Sequence, residues 1–459
     1  MERICLILLL LFSLFFVRFV AQNNPDKITS LPGQPQNVPF DQYAGYITVN
    51  EKNQRKLFYF LVEAPENAAS KPLVLWQTGG PGWSSLYAML LENGPFTPSP
   101  EGKALDNNTW SWNLLANMIY VESPAGVGFS SSKVKSDYNV GDERTATDLI
   151  QFLTGFLAKY PKYKKRTFYL AGESYAGHYI PNLALDITKI KLDIDFKGFL
   201  VGNPWTYPKF DNNGTTLFWF THGLMSIEDY SAINEHCNFN QSGPFLMYPN
   251  TYNMNKLCLA AITKVRKVLD IINVYDIYDD ICMRDKFIGQ GGWFSPARKS
   301  PLKNYNLEDN PCGPTDLTAY LNRADVQKAI HAEPQEWSMR SKAVTYSVQD
   351  MMTPMKKVWK QLLPYHNELK FLVYSGDVDA AVPWLGTLLW IKDLEKDGTI
   401  NLVEDWNPWY GSTVQVGGFT LQYDKMTFKT VRDAGHQVPS SQPRRAYDML
   451  NNFLNNKMD

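Results

Sequence analysis

The stretch Phe168-Tyr169-Leu170-Ala171-Gly172-Glu173-Ser174-Tyr175-Ala176-Gly177-His178-Tyr179 decides the fold. An apolar, β-prone run enters a glycine, then a serine, then small residues. The order matches a nucleophile elbow, G-x-S-x-G, with Ala176 at the second glycine and Gly177 one step later. A sharp strand-to-helix turn lifts a serine Oγ above a sheet and tolerates only small neighbours. The helix that follows points backbone N–H groups at charge developing near the serine. A plain Gly-rich turn around an ordinary serine is the alternative reading of this stretch alone.

The flanking pattern extends the elbow into a sheet. Leu73-Val74-Leu75-Trp76 and Met118-Ile119-Tyr120-Val121 are continuous apolar runs, which reads as strands buried on both faces. Asp142 to Lys159 turns helical, with Ala146, Leu149, Ile150, Leu153 and Phe156 near one face. Strand, helix, strand and elbow imply a parallel sheet with crossovers. Tyr46 to Val49, Leu57 to Val62, Phe199 to Val201 and Phe371 to Tyr374 supply further strands. Gly417-Gly418 between Thr413 to Val416 and Phe419 to Tyr423 predicts a hairpin. Met426 to Val431 reads as a last strand, partly exposed because of Lys429 and Thr430. Helices are expected from Gly386 to Asp393 and from Pro443 to Phe453.

A serine nucleophile needs a base, and the base needs an orienting carboxylate. Both stand at the end of late apolar strands, in Ser375-Gly376-Asp377-Val378-Asp379 and Asp433-Ala434-Gly435-His436. The catalytic set is read as Ser174, Asp379 and His436. Asp379 is preferred to Asp377 because it lies deeper in its loop, where Asp377 is better placed to satisfy turn N–H groups. The chain order Ser, Asp, His is that of the α/β-hydrolase fold, so the fold class is α/β with a mostly parallel central sheet. The remaining histidines, His178 included, read as ordinary structural or surface residues.

Length and composition fit that reading. The chain has 459 residues, 44% of them hydrophobic, with a formal net charge of -1. That balance argues against nucleic acid as a partner. Met1-Glu2-Arg3 and the apolar run Ile4 to Phe16 read as a signal peptide over residues 1–21. The run is shorter than the ~20 residues that a membrane span prefers, so no membrane association is expected after its removal. Cys237, Cys258, Cys282 and Cys312 remain, an even set in an exported chain, which predicts two disulfides. No close cysteine pair suggests a zinc site, and no metal or other cofactor is expected. Glycosylation sequons begin at Asn107, Asn213 and Asn240. By organisation, residues 22–205 form the first part of the core, 206–340 an inserted and largely helical cap, and 341–459 the second part of the core.

Taken together, these motifs resemble the serine carboxypeptidase family, which includes lysosomal protective protein and vacuolar carboxypeptidases. The resemblance rests on Trp76-Gln77-Thr78-Gly79-Gly80-Pro81-Gly82-Trp83-Ser84-Ser85, Glu92-Asn93-Gly94-Pro95-Phe96 and Glu122 to Ser130, together with the elbow and the loops of Asp379 and His436. It implies an oxyanion hole from the N–H groups of Gly80 and Tyr175. It implies a substrate-carboxylate pocket of Trp76, Thr78, Gly79, Glu92 and Glu173, whose two acids share protons and favour acidic-pH release of C-terminal residues from peptides and proteins. It implies the pairs Cys237–Cys258 and Cys282–Cys312, a secretory route to a lysosome, a vacuole or the cell exterior, and leaves a homodimer open. Thr78 departs from the family's asparagine and offers one hydroxyl in place of an amide. Trp83 stands at a family cysteine whose usual partner falls near Arg340, so both halves of one disulfide are missing, and Trp83 is expected to supply part of the lost packing. Related acyltransferases use the same three residues, so acyl transfer or ester hydrolysis is the alternative activity. A role as a stabilising partner of other hydrolases is the alternative outside catalysis.

Overall fold

The computed structural model describes residues 24–240, 254–282 and 311–457. The expected signal peptide lies outside the described residues. Eleven strands form one sheet. In chain order they are β1 (Lys27–Ile28), β2 (Gln42–Asn50), β3 (Arg55–Val62), β4 (Leu73–Gln77), β5 (Asn117–Val121), β6 (Thr167–Glu173), β7 (Asp195–Gly202), β8 (Lys370–Gly376), β9 (Leu402–Tyr410), β10 (Val416–Tyr423) and β11 (Thr427–Val431). Across the sheet they run β1-β2-β3-β5-β4-β6-β7-β8-β11-β10-β9. The central strands from β5 to β11 are parallel, and antiparallel strands close both edges.

Both faces of the parallel strands are buried, which is why they read as unbroken apolar runs. Alternation still operates within them. Leu73, Leu75, Phe168 and Leu170 face one core, with Phe152, Phe156, Leu183 and Trp359 from covering helices. Val74, Trp76, Tyr169 and Ala171 face the other, with Leu86, Leu317, Met449 and Phe453. Burying a side chain of this size contributes about 1.5–3 kcal/mol, so one mutation in either layer removes a sizeable share of the stability of a domain.

Between β7 and β8, helices Pro208–Thr221, Ile227–His236 and Lys256–Leu269 build a third cluster around Phe218, Trp219, Ile262 and Val265. Cys237 bonds Cys258 across it, and Cys282 bonds Cys312. Helix Gly313–Leu321, by contrast, packs its Leu317 and Tyr320 into the second sheet core.

Two expectations fail, each for a local reason. Gly417 and Gly418 are not a turn but lie near the start of β10, where Val416 pairs with Tyr410 and Gly418 with Trp409 of β9, leaving Gly417 as the extra residue at a register shift. A Cβ on Gly417 would come within 2.5 Å of the Trp409 ring, so glycine serves close packing here and not a bend. β11 is also fully buried, Lys429 and Thr430 included. The Lys429 ammonium lies 5.4 Å from the Trp409 ring centroid, an aromatic contact that eases its burial.

Candidate active site

Ser174, Asn203, Asp379 and His436 follow β6, β7, β8 and β11, which are consecutive neighbours in the sheet. Parallel topology therefore delivers all four to the carboxyl ends of the strands, where open α/β sheets hold their sites. Ser174 has φ of 61°, in the left-handed region that a non-glycine residue occupies at a cost of about 1–3 kcal/mol. The turn is fixed from outside. Ser174 N–H donates to the Gly202 carbonyl at 2.9 Å, and Trp205 N–H donates to the Ser174 carbonyl at 3.0 Å. The small residue that the elbow needs is Gly177, because a Cβ there would lie 2.3 Å from the Trp205 carbonyl oxygen. Ala176 fits where the common pattern has glycine.

Asp379, and not Asp377, meets the histidine. His436 Nδ1 lies 2.6 Å from Asp379 Oδ2, with the two side chains 3% and 0% exposed. A carboxylate only accepts, so Nδ1 carries the proton and Nε2 is left basic. The carboxylate is held by Ala381 N–H at 2.7 Å, Val382 N–H at 3.1 Å and Asn203 Nδ2 at 2.9 Å. Burial opposes a charged imidazole, but the Asp379 charge and hydrogen bond outweigh it and raise the His436 pKa. Asp377 instead accepts from Asp433 N–H at 2.6 Å and braces the histidine loop.

The Gly79-Gly80 loop lies directly on the elbow. A Cβ on Gly79 would be 2.3 Å from Tyr175 N and 2.8 Å from Ser174 Cβ, so only glycine allows this approach. Among the described residues, neither Gly80 N–H nor Tyr175 N–H donates a hydrogen bond. Two unused donors on either side of the serine suit an oxyanion.

Glu173 precedes Ser174, and the Glu92 carboxyl meets it below the loop, both nearly fully buried. Three of their four carboxyl oxygens have no hydrogen-bond donor. Two carboxylates cannot bond each other, whereas an acid and a carboxylate can. Burial pushes Glu92 up to about 8, and burial with the Glu92 charge holds Glu173 well above the usual carboxylate range. The pair thus keeps protons that exposed acids would lose. Thr78, also buried, accepts from the Trp76 indole at 2.9 Å. That bond occupies a lone pair and leaves the hydroxyl proton to donate.

At the two positions where the resemblance implies a cysteine pair, Trp83 and Arg340 form an antiparallel bridge through the main chain. Ser84 N–H donates to Met339 at 2.8 Å, and Ser341 N–H donates to Gly82 at 2.9 Å. The Trp83 ring packs edge-on against Tyr87 at 5.7 Å and Tyr275 at 6.5 Å.

Three contributors escape sequence reasoning. Tyr275 accepts from His436 N–H at 2.6 Å and lays its ring 5.0 Å from the imidazole. Asn203 follows the Val201-Gly202 strand end, a signal that could have marked it. His178 is no isolated histidine: its Nδ1 lies 2.8 Å from Asp142 Oδ2. Of the sequons, Asn107 and Asn240 are exposed, whereas Asn213 is half-buried inside helix Pro208–Thr221. Among the described residues, no group of acids, histidines or cysteines is arranged to hold a metal ion, and no helix is long and apolar enough to cross a membrane.

The sequence profile described as "Serine carboxypeptidase" matches residues 32–456. Serine carboxypeptidase-like 28 of Arabidopsis thaliana is 39% identical, over 95% of this chain and 92% of its own. Serine carboxypeptidase 24 of the same plant is 37% identical, over 100% and 99%. Among solved structures, a prohormone-processing carboxypeptidase from Saccharomyces cerevisiae superposes with a TM-score of 0.71 at 20% identity, covering 94% of this chain and 95% of its own, which shows the shared fold.

Proposed function

This chain belongs to the serine carboxypeptidase family, and we propose that it releases C-terminal amino acids from peptides and proteins through a Ser174 acyl-enzyme. Ser174 Oγ attacks the scissile carbonyl while His436 Nε2 takes its proton. The oxyanion forms against the N–H groups of Gly80 and Tyr175. Collapse breaks the C–N bond, and His436 returns the proton to the leaving amine. Water, deprotonated by His436, then cleaves the ester and restores Ser174. Asp379 holds the imidazole tautomer throughout.

The observation that carries the carboxypeptidase reading is the buried Glu92–Glu173 pair beside the serine, with three oxygens lacking donors. A neutral pair offers O–H groups to a terminal carboxylate, with the Thr78 hydroxyl and Gly79 backbone alongside. A general esterase has no need of such a pair. The signs of the two pH effects oppose each other. Release is lost on acidification as His436 gains its proton, and lost on alkalinisation as the pair gives its protons up. The second limit follows the loss of the pair's protons, burial having pushed Glu92 up to about 8.

The Thr78 hydroxyl favours a second reading. With one donor where the resemblance implies an asparagine amide, terminal-carboxylate binding is weaker, and acyl transfer to a hydroxyl acceptor through the same acyl-enzyme competes. Two disulfides, with an N-terminal apolar run that reads as a signal peptide, support a secretory route, ending in a lysosome, a vacuole or outside the cell. The test is a blocked dipeptide with a free C-terminus, offered to the protein and to Ser174→Ala. Release of the last residue that depends on Ser174 supports peptidase action. No release, with an activated ester still acylating Ser174 and passing its acyl group to an alcohol, moves transfer to the front.

A further inference from the structure

Tyr175 has a side chain that the chemistry above does not use. It is 2% exposed, and its ring stacks flat on the His178 imidazole, with centroids 4.6 Å apart and planes 14° apart. Its hydroxyl donates to Asp142 Oδ1 at 3.1 Å. The same carboxylate accepts from Tyr346 at 2.7 Å and from His178 Nδ1 at 2.8 Å. One acid therefore gathers donors from the elbow, from the helix behind it and from the short strand Thr345–Tyr346. Asp142 is itself held, since its N–H donates to Asp350 Oδ2 at 2.9 Å. Burial alone would raise its pKa, but His178 and the two tyrosines reverse this and keep the carboxyl below its ordinary range.

We propose that Asp142, His178 and Tyr346 are positioning residues that clamp the Tyr175 ring and so aim its backbone N–H at the oxyanion. The Tyr175 backbone sits at the strained step after Ser174, where a tilt of the peptide plane swings the N–H away from the reacting carbonyl. A ring held on its face by imidazole and at its tip by carboxylate resists that tilt. The clamp lies behind the elbow, so it acts on the transition state and not on substrate binding. The inference rests on the Ser174 acyl-enzyme reading, and not on the identity of the substrate.

The test compares Tyr175→Phe and Tyr346→Phe with the unaltered protein. Three quantities are read: the rate at which an activated ester acylates Ser174, KM for that ester, and affinity for a peptide aldehyde that forms a hemiacetal with the serine. The clamp predicts acylation slower by about tenfold to a hundredfold in Tyr175→Phe, the scale of a misplaced catalytic group. The aldehyde should weaken in parallel while KM stays within about twofold, the mark of an interaction made only in the transition state. Tyr346→Phe, which leaves the elbow untouched, should shift the same quantities less and in the same direction. Unchanged acylation and aldehyde affinity in both variants would overturn the clamp, as would losses that track KM or unfolding. Acylation of the unaltered protein without peptide release would count against the peptidase reading and leave the clamp to be judged by the variants.

Discussion

Replacing Glu92 by glutamine isolates what the buried acid pair does. Glutamine keeps the shape and the capacity to donate but cannot ionise. Glu92 titrates near 8 in the folded protein against 4.5 ordinarily. At pH 5 the wild-type pair is neutral, and the variant should release residues within a few-fold of the wild-type rate. Above pH 8 each further unit should cost the wild type about tenfold in kcat/KM as the neutral form is titrated away. Glu92→Gln should lose little over that range. Assaying an ester without a terminal carboxylate in parallel cancels the His436 contribution, which acts on both substrates. The same substitution tests stability with a fixed sign. A raised carboxyl pKa means that the folded state holds a proton that the unfolded chain releases. Its stabilising share is full below about 4.5 and is lost as pH rises toward 8. Glu92→Gln should therefore unfold at higher denaturant than the wild type at pH 8, and the advantage should vanish near pH 4. An identical alkaline limb in variant and wild type would refute the shared-proton reasoning.

Three further outcomes follow from the geometry. Asp379→Asn removes the acceptor that fixes His436 and should lower kcat by about 10⁴-fold with the fold intact by circular dichroism; a loss under tenfold would place the orienting acid elsewhere. Gly79→Ala forces a Cβ to within 2.3 Å of Tyr175 N, so Ser174 acylation should fall by at least about 10²-fold, the weight of one oxyanion donor. Trp83 and Arg340 form the non-hydrogen-bonded kind of bridge, in which Cα atoms stand about 4.5 Å apart, so Trp83→Cys with Arg340→Cys should close a disulfide. Against its reduced form the closed protein should gain about 2–4 kcal/mol by denaturant titration, and free thiols persisting after oxidation would contradict the bridge.

The parts of this molecule that were legible in its sequence are those carried by local pattern. Leu73 to Trp76 and Met118 to Val121 read as strands because both faces are covered, and Ser174 read as a nucleophile because Gly172 stands two residues before it and Ala176-Gly177 two and three after it at the end of an apolar run. β9 was not legible: Leu402–Tyr410 is an exposed edge strand with Pro408 and mixed polarity, so it carries neither alternation nor an apolar run. The glycines of β10 misled because a gap for the Trp409 ring looks the same in sequence as a turn. Around the site, Asp379 and His436 could be paired by chain order, whereas Tyr275 reaches His436 only through the folding of the inserted helices. His178 and Asp142 stand 36 residues apart on different helices, and no spacing rule joins them.

The most direct measurement of the central claim is the ratio of release rates for a blocked dipeptide as free acid and as amide, followed from pH 4 to 9 with Ser174→Ala as the blank. The account predicts Ser174-dependent release that favours the free acid and a preference that fades through pH 8. A ratio that stays flat across that range, or release that survives Ser174→Ala, would contradict it.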